Sequence, residues 1–241
     1  CGKNINTGSN NFIFGSDSGT TVSTGDNNIG IGTGSFVGER TGTDNIHIGY
    51  YSGRKGIEGS NNTTESETGD YYYTGPSSSY NISIGSESMN GDDMDGVYSY
   101  MQDNVSIGTK TMNSVRSIKA GGVNSNIIIN NTVIGTEAGF TMSGSNNTII
   151  GYRAGYTCHG NGNVYLGGMT GHNNPLGSNN IFISTSTTTA IQSNLSPVLN
   201  DTFAVYRNND LDSSSATFPL MYGNLSNSTL SINNRGFGLT G

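Results

Sequence analysis

Along most of this chain an Asn is followed by three residues and then a Gly, with landmark glycines at Gly15, Gly32, Gly49, Gly85, Gly108, Gly135, Gly151 and Gly167. Ser184 stands in the glycine's place in a ninth copy. The spacings are 17, 17, 36, 23, 27, 16, 16 and 17, so five agree to within one residue and three are the same unit carrying inserts. A period this short means one small unit per repeat, stacked on its neighbours, and not a globule with a single centre.

The unit is a strand and two corners. The residue before each landmark is Phe14, Ile31, Ile48, Ile84, Ile107, Ile134, Ile150, Leu166 or Ile183, and two residues earlier stand Phe12, Ile29, Ile46, Ile82, Val105, Thr132, Thr148, Val164 and Ile181. Between them the residue varies without pattern: Ile13, Gly30, His47, Ser83, Ser106, Val133, Ile149, Tyr165, Phe182. Alternation of period two places the flanking pair on one face of a short strand, and the expectation is that this pair points into the coil. The Asn that opens each unit (Asn11, Asn28, Asn45, Asn81, Asn104, Asn131, Asn147, Asn163, Asn180) is placed to hydrogen-bond along the stack or to close a turn. Three residues past the landmark come Ser18, Ser35, Ser52, Ser88, Thr111, Ala138, Ala154 and Thr170, all small enough for a second tight corner. The landmark glycine is expected to supply a backbone conformation or a close approach that a β-carbon forbids.

Composition agrees with frequent turning. The 241 residues include 37 Gly, 4 Pro and no Trp, and only 32% are hydrophobic. Charged residues make up 11%, which speaks against a disordered chain and leaves an all-β parallel β-roll or β-solenoid of about 16–17 residues per coil. With two inward apolar residues per coil the core is thin, and three chains burying their apolar faces about one axis are the natural remedy. A net charge of −7 argues against a nucleic-acid partner. No apolar run approaches a membrane span, so no membrane insertion is expected. Cys1 and Cys158 are too few and too far apart for a disulfide framework. An N-terminal Cys can carry lipid, but Cys1-Gly2 aligns with Ala138-Gly139 and Ala154-Gly155, which puts it within a coil.

The repetitive part is read as residues 1–185, with inserts at about 54–80 and 90–103, and residues 186–241 as a small β-rich trimerisation module. The inserts carry the candidate binding residues Tyr71, Tyr72, Tyr73, Tyr80, Tyr98 and Tyr100, since exposed Tyr is a good contact residue. Asp92, Asp93 and Asp95 form the one candidate cation loop, for Ca²⁺, without the later Glu of an EF-hand loop. No other cofactor is expected. His47 sits at the middle of a strand, while Cys158-His159 and His172 lie in Gly/Asn turns without metal-ligand spacing. Nothing marks a catalytic constellation.

Residues 131–139 (Asn-Thr-Val-Ile-Gly-Thr-Glu-Ala-Gly) and 147–155 (Asn-Thr-Ile-Ile-Gly-Tyr-Arg-Ala-Gly) resemble the repeats of tail fibres and spikes of phages and large DNA viruses. Residues 44–52 (Asp-Asn-Ile-His-Ile-Gly-Tyr-Tyr-Ser) are similar to the head repeat of trimeric autotransporter adhesins, a left-handed parallel β-roll trimer. The segment from Phe203 to Asn233 resembles the stretch that in many viral fibres precedes an autocleaving chaperone domain. These resemblances imply a homotrimeric fibre or spike segment on a virion surface or outside a cell. Its partners would be other virion or fibre proteins and a host glycan or protein receptor, and it would not be an enzyme. A fibre-borne polysaccharide depolymerase and a cellular surface adhesin or lipoprotein stand as alternatives.

Overall fold

The computed structural model describes residues 2, 7–20, 24–37, 42–53, 63–65, 71–73, 79–90, 99–114, 126–172, 176–184, 199–206 and 221–232. Every regular element among them is a strand. In chain order they are β1 (Phe12–Phe14), β2 (Ile29–Ile31), β3 (Ile46–Ile48), β4 (Thr63–Glu65), β5 (Tyr71–Tyr73), β6 (Ile82–Ile84), β7 (Ser99–Gln102) and β8 (Val105–Ile107), followed by β9 (Asn126–Ile129), β10 (Thr132–Ile134), β11 (Thr148–Ile150), β12 (Val164–Leu166), β13 (Ile181–Ser184), β14 (Thr202–Tyr206), β15 (Met221–Asn224) and β16 (Thr229–Ile232).

Twelve of these form one sheet in the order β1-β2-β3-β6-β8-β10-β11-β12-β13-β14-β15-β16. Up to β14 every pairing is parallel and in repeat register, with Ile29 opposite Ile46 and Ile82 opposite Val105, so inserts of different length do not disturb the ladder. The long parallel ladder, one rung per repeat, is compatible with the expected β-solenoid. The sheet also runs past position 185: Phe203, Ala204 and Val205 lie opposite Ile181, Phe182 and Ile183, making β14 a tenth parallel rung. Thr202 holds the Asn position there, and its amide donates to Asn180 Oδ1 at 3.1 Å. Beyond it β15 and β16 add as an antiparallel hairpin.

The repeat residues hold the coils together along the axis. Each ladder Asn bonds its predecessor through both amide groups; Asn147, for example, donates its backbone N at 2.9 Å and its Nδ2 at 3.1 Å to Asn131 Oδ1. Its Nδ2 also reaches the Gly160 carbonyl at 3.1 Å. The ladder runs unbroken from Asn11 to Asn180, and from Asn28 onward its members are buried. Side chain and backbone thus satisfy each other where water is excluded. The landmark glycines meet both expectations at once. Gly32 has φ +125, and a β-carbon on it would stand 2.4 Å from the Gly49 carbonyl oxygen of the next coil. The small residues of the second corner are all buried, and Ser18 Oγ and Ser35 Oγ lie 2.8 Å apart across adjacent coils.

The facing of the strands is the reverse of the expectation. In β2, β3, β6, β8, β10 and β12 the middle residue is buried and the flanking apolar pair is only half-buried. His47, Ser83, Ser106, Val133, Ile149, Tyr165, Phe182 and Ala204 therefore line the coil interior. Their variation is matched by the residue six positions later. Small Gly30, Ser83 and Ser106 are followed by Phe36, Met89 and Met112, whereas Ile13, His47, Val133, Ile149 and Tyr165 are followed by Gly19, Gly53, Gly139, Gly155 and Gly171. Each coil thus carries one large inward side chain per such pair, and a β-carbon on Gly53 or Gly171 would stand 2.2 Å from the His47 ring or 2.5 Å from the Tyr165 ring. All of these later positions have φ between 49 and 70, the left-handed region, which glycine occupies without strain.

Candidate interaction surfaces

Because the middle residue turns inward, the flanking pairs stand in two parallel columns on the outer face of the sheet. One column runs Phe12, Ile29, Ile46, Ile82, Val105, Thr132, Thr148, Val164, Ile181, Phe203, and the other Phe14, Ile31, Ile48, Ile84, Ile107, Ile134, Ile150, Leu166, Ile183, Val205. Phe14 is 67% exposed, Phe12 59%, Ile150 39% and Ile183 36%. The hairpin prolongs the same face: Leu230 lies opposite Gly223, the partner of Phe203, and Ile232 opposite Met221, the partner of Val205. Leu230 and Ile232 are both exposed. An apolar cup of about 350 Å³ opens at this end, lined by Phe203, Met221, Leu225 and Leu230 with Asn224, Ser228 and Thr229.

A second surface is defined by where the inserts leave the coil. In the repeat alignment the extra residues of the three long units all fall between the second-corner residue (Ser52, Ser88 or Thr111) and the next ladder Asn (Asn81, Asn104 or Asn131), after the successive rungs β3, β6 and β8. The inserts therefore occupy the same interval of three adjacent coils. Within the first, β4 and β5 pair antiparallel, with Thr64 opposite Tyr72. Tyr71, Tyr72 and Tyr73 make up β5, and Tyr80 is exposed at the coil corner with φ 59. Tyr98 and the carboxylates Asp92, Asp93 and Asp95 lie outside the described residues. Tyr100 belongs to β7, which pairs parallel with β9 and places Met101 opposite Ile128. Met101 and Ile128 are buried, so residues 99–102 form a wall of the coil and the second insert is narrower than the sequence suggests.

Burial shifts the three histidines and the described cysteine. Burial pulls His47 down to about 3, and its ring stacks on Phe36 at 5.0 Å. Burial pushes the Cys158 thiol up to about 12, which keeps it protonated and not nucleophilic. His159 Nδ1 lies 2.8 Å from Ser143 Oγ, and burial lowers its pKa. His172 is lowered as well, first by burial and then by the Arg153 charge. Among the described residues no three His, Cys, Asp or Glu side chains are grouped to hold a metal. The repeat pattern also concealed an aromatic column at the second corner: Phe140 and Tyr156 stack at 5.0 Å and Tyr156 meets His172 at 5.1 Å. Arg153 bonds Glu137 and lies over the Tyr152 and Tyr156 rings. Its signal was an aromatic residue five places after three successive landmarks.

Comparison with family models, with curated proteins and with solved structures finds no match. No helix among the described residues is long and apolar enough to cross a membrane.

Proposed function

We propose that this chain is a structural segment of a surface fibre or spike, of a virion or of a cell, formed by three copies that pack their apolar sheet faces about a common axis. The observation that carries the reading is the pair of outward apolar columns. Ten rungs at roughly 4.8 Å make a strip about 45 Å long and ~10–15 Å wide. That is on the order of 500–700 Å², at or above the largest apolar patch of an ordinary monomer and near what one partner contributes to a stable interface. Identical rungs on parallel copies meet like with like, so a closed arrangement covers the strip without leaving an open end.

The rest of the surface suits a fibre. The tyrosine-bearing inserts give each copy contact residues for a host glycan or protein receptor. Three copies of them on one fibre would convert weak contacts into avid ones. Light scattering on the purified chain and on the Ile84→Asp/Ile107→Asp variant tests the reading. A mass three times 25.2 kDa, falling to 25.2 kDa in the variant while the circular dichroism of the strands persists, is the expected outcome. A native mass of one chain refutes it. Deleting residues 57–75, which returns that unit from 36 to 17 residues and leaves Ser79 and Tyr80 in the coil, should then abolish binding to host cells without changing the mass, and retained binding removes that insert as the contact.

A further inference from the structure

A seam of repeating apolar rungs has a weakness of its own. Shifting one copy along the axis by one coil still opposes nine of ten rungs, so apolar contact alone discriminates poorly between registers. The two columns hold one interruption: Thr132 and Thr148, adjacent rungs of the same column, where every other position is Phe, Ile, Leu or Val. Both are half-buried on the outward face beside Ile134 and Ile150. Neither hydroxyl bonds another described residue of the chain, although Thr170 and Thr111 at the second corner both bond carbonyls.

We propose that Thr132 and Thr148 form a polar layer in the seam between copies, which fixes their axial register by meeting the same two threonines of a second copy at the same level. This rests on the three-chain reading above and names the part of the interface that makes it specific. In register, hydroxyls of neighbouring chains face one another and share protons or an enclosed water. After a one-coil slip only Thr148 of one copy meets Thr132 of its neighbour. The other Thr132 then faces Val105 and the other Thr148 faces Val164, and both hydroxyls are buried without a partner. The layer has the role a single buried Asn has in a coiled-coil seam, where a polar position selects one alignment against the degenerate apolar ones.

The test uses the full chain in a Cys1→Ser background. Chains carrying Ile46→Cys or Ile48→Cys on one rung are co-expressed with chains carrying Ile82→Cys or Ile84→Cys on the next, and disulfides between chains are formed with copper phenanthroline. In the native seam same-rung links should dominate. In Thr132→Val/Thr148→Val, links between adjacent rungs should rise roughly tenfold, while Thr132→Ser/Thr148→Ser keeps them at the native level. Adjacent-rung links that stay at background in the valine variant overturn the proposal, as does their abundance in the native seam. Absence of any interchain link together with a one-chain mass overturns the three-chain reading as well, and light scattering tells the two failures apart.

Discussion

Replacing Asn147 with Ala removes more of the fold than its one side chain suggests. Its Nδ2 donates to Asn131 Oδ1 at 3.1 Å and to Gly160 O at 3.1 Å, and its Oδ1 accepts from Asn163 N at 2.9 Å and from Asn163 Nδ2 at 3.1 Å. Four hydrogen bonds are lost, and the Asn163 amide and the Gly160 carbonyl are left in a site where residue 147 is itself 1% exposed. At about 1 kcal/mol net per bond, with a further ~1–2 kcal/mol for the stranded buried groups, the cost is roughly 5–6 kcal/mol. Asn146 next door supplies the contrast. It is exposed, with φ 60, and its Oδ1 accepts from Asn130 Nδ2 at 3.2 Å in water, so Asn146→Gly, which removes the side chain without straining the left-handed backbone, should cost under about 1 kcal/mol. Because coils of a solenoid can open separately, hydrogen exchange at the amides of residues 131–166 is the appropriate readout beside a urea titration. Protection should fall sharply around Asn163 in the Asn147 variant and stay unchanged in the Asn146 variant. Equal, small effects of the two substitutions would refute the claim that the buried ladder carries the axial cohesion.

Two further outcomes follow from the coil interior. Gly171→Ala places a methyl 2.5 Å from the Tyr165 ring at φ +70 and should cost about 2–4 kcal/mol; Tyr165→Val makes room for it, so the double variant should be more stable than the sum of the two losses by at least ~1 kcal/mol in a urea double-mutant cycle. Additive losses would sink the size-matching account. His47 is held neutral in the fold at a pKa of about 3 against 6.5 when unfolded, so its contribution is intact above pH 6.5 and declines as pH falls toward 3, by about 1.4 kcal/mol per pH unit. The native chain should therefore lose stability between pH 6.5 and 4.5 more steeply than His47→Leu; parallel pH profiles of the melting temperature would rule this out.

The repeat made much of this architecture readable in advance, since Asn, apolar residue and Gly at fixed spacing demand stacked short strands, and the register Phe12 to Ile29 to Ile46 is the repeat itself. The facing was not readable from alternation. In a three-residue strand with the coil interior on one side and an apolar outer face on the other, both faces carry large side chains, and period two does not say which is inside. The decisive signal lay elsewhere, in the reciprocal sizes of Gly30 with Phe36, His47 with Gly53 and Tyr165 with Gly171, which only a closed coil explains. The tenth rung escaped because Thr202 replaces the Asn and Tyr206 the landmark Gly. The wall strands β7 and β9 escaped because they lie beside inserts whose composition hides them. Of the candidate surfaces, the insert tyrosines were visible by composition, whereas the outward columns became a surface only once their direction was reversed.

Electron cryomicroscopy of the purified assembly should show three β-coils about one axis, their parallel sheets turned toward it, with Ile31, Ile84 and Ile134 in contact between chains. A single-chain rod, or three coils whose sheets face solvent, would contradict this arrangement.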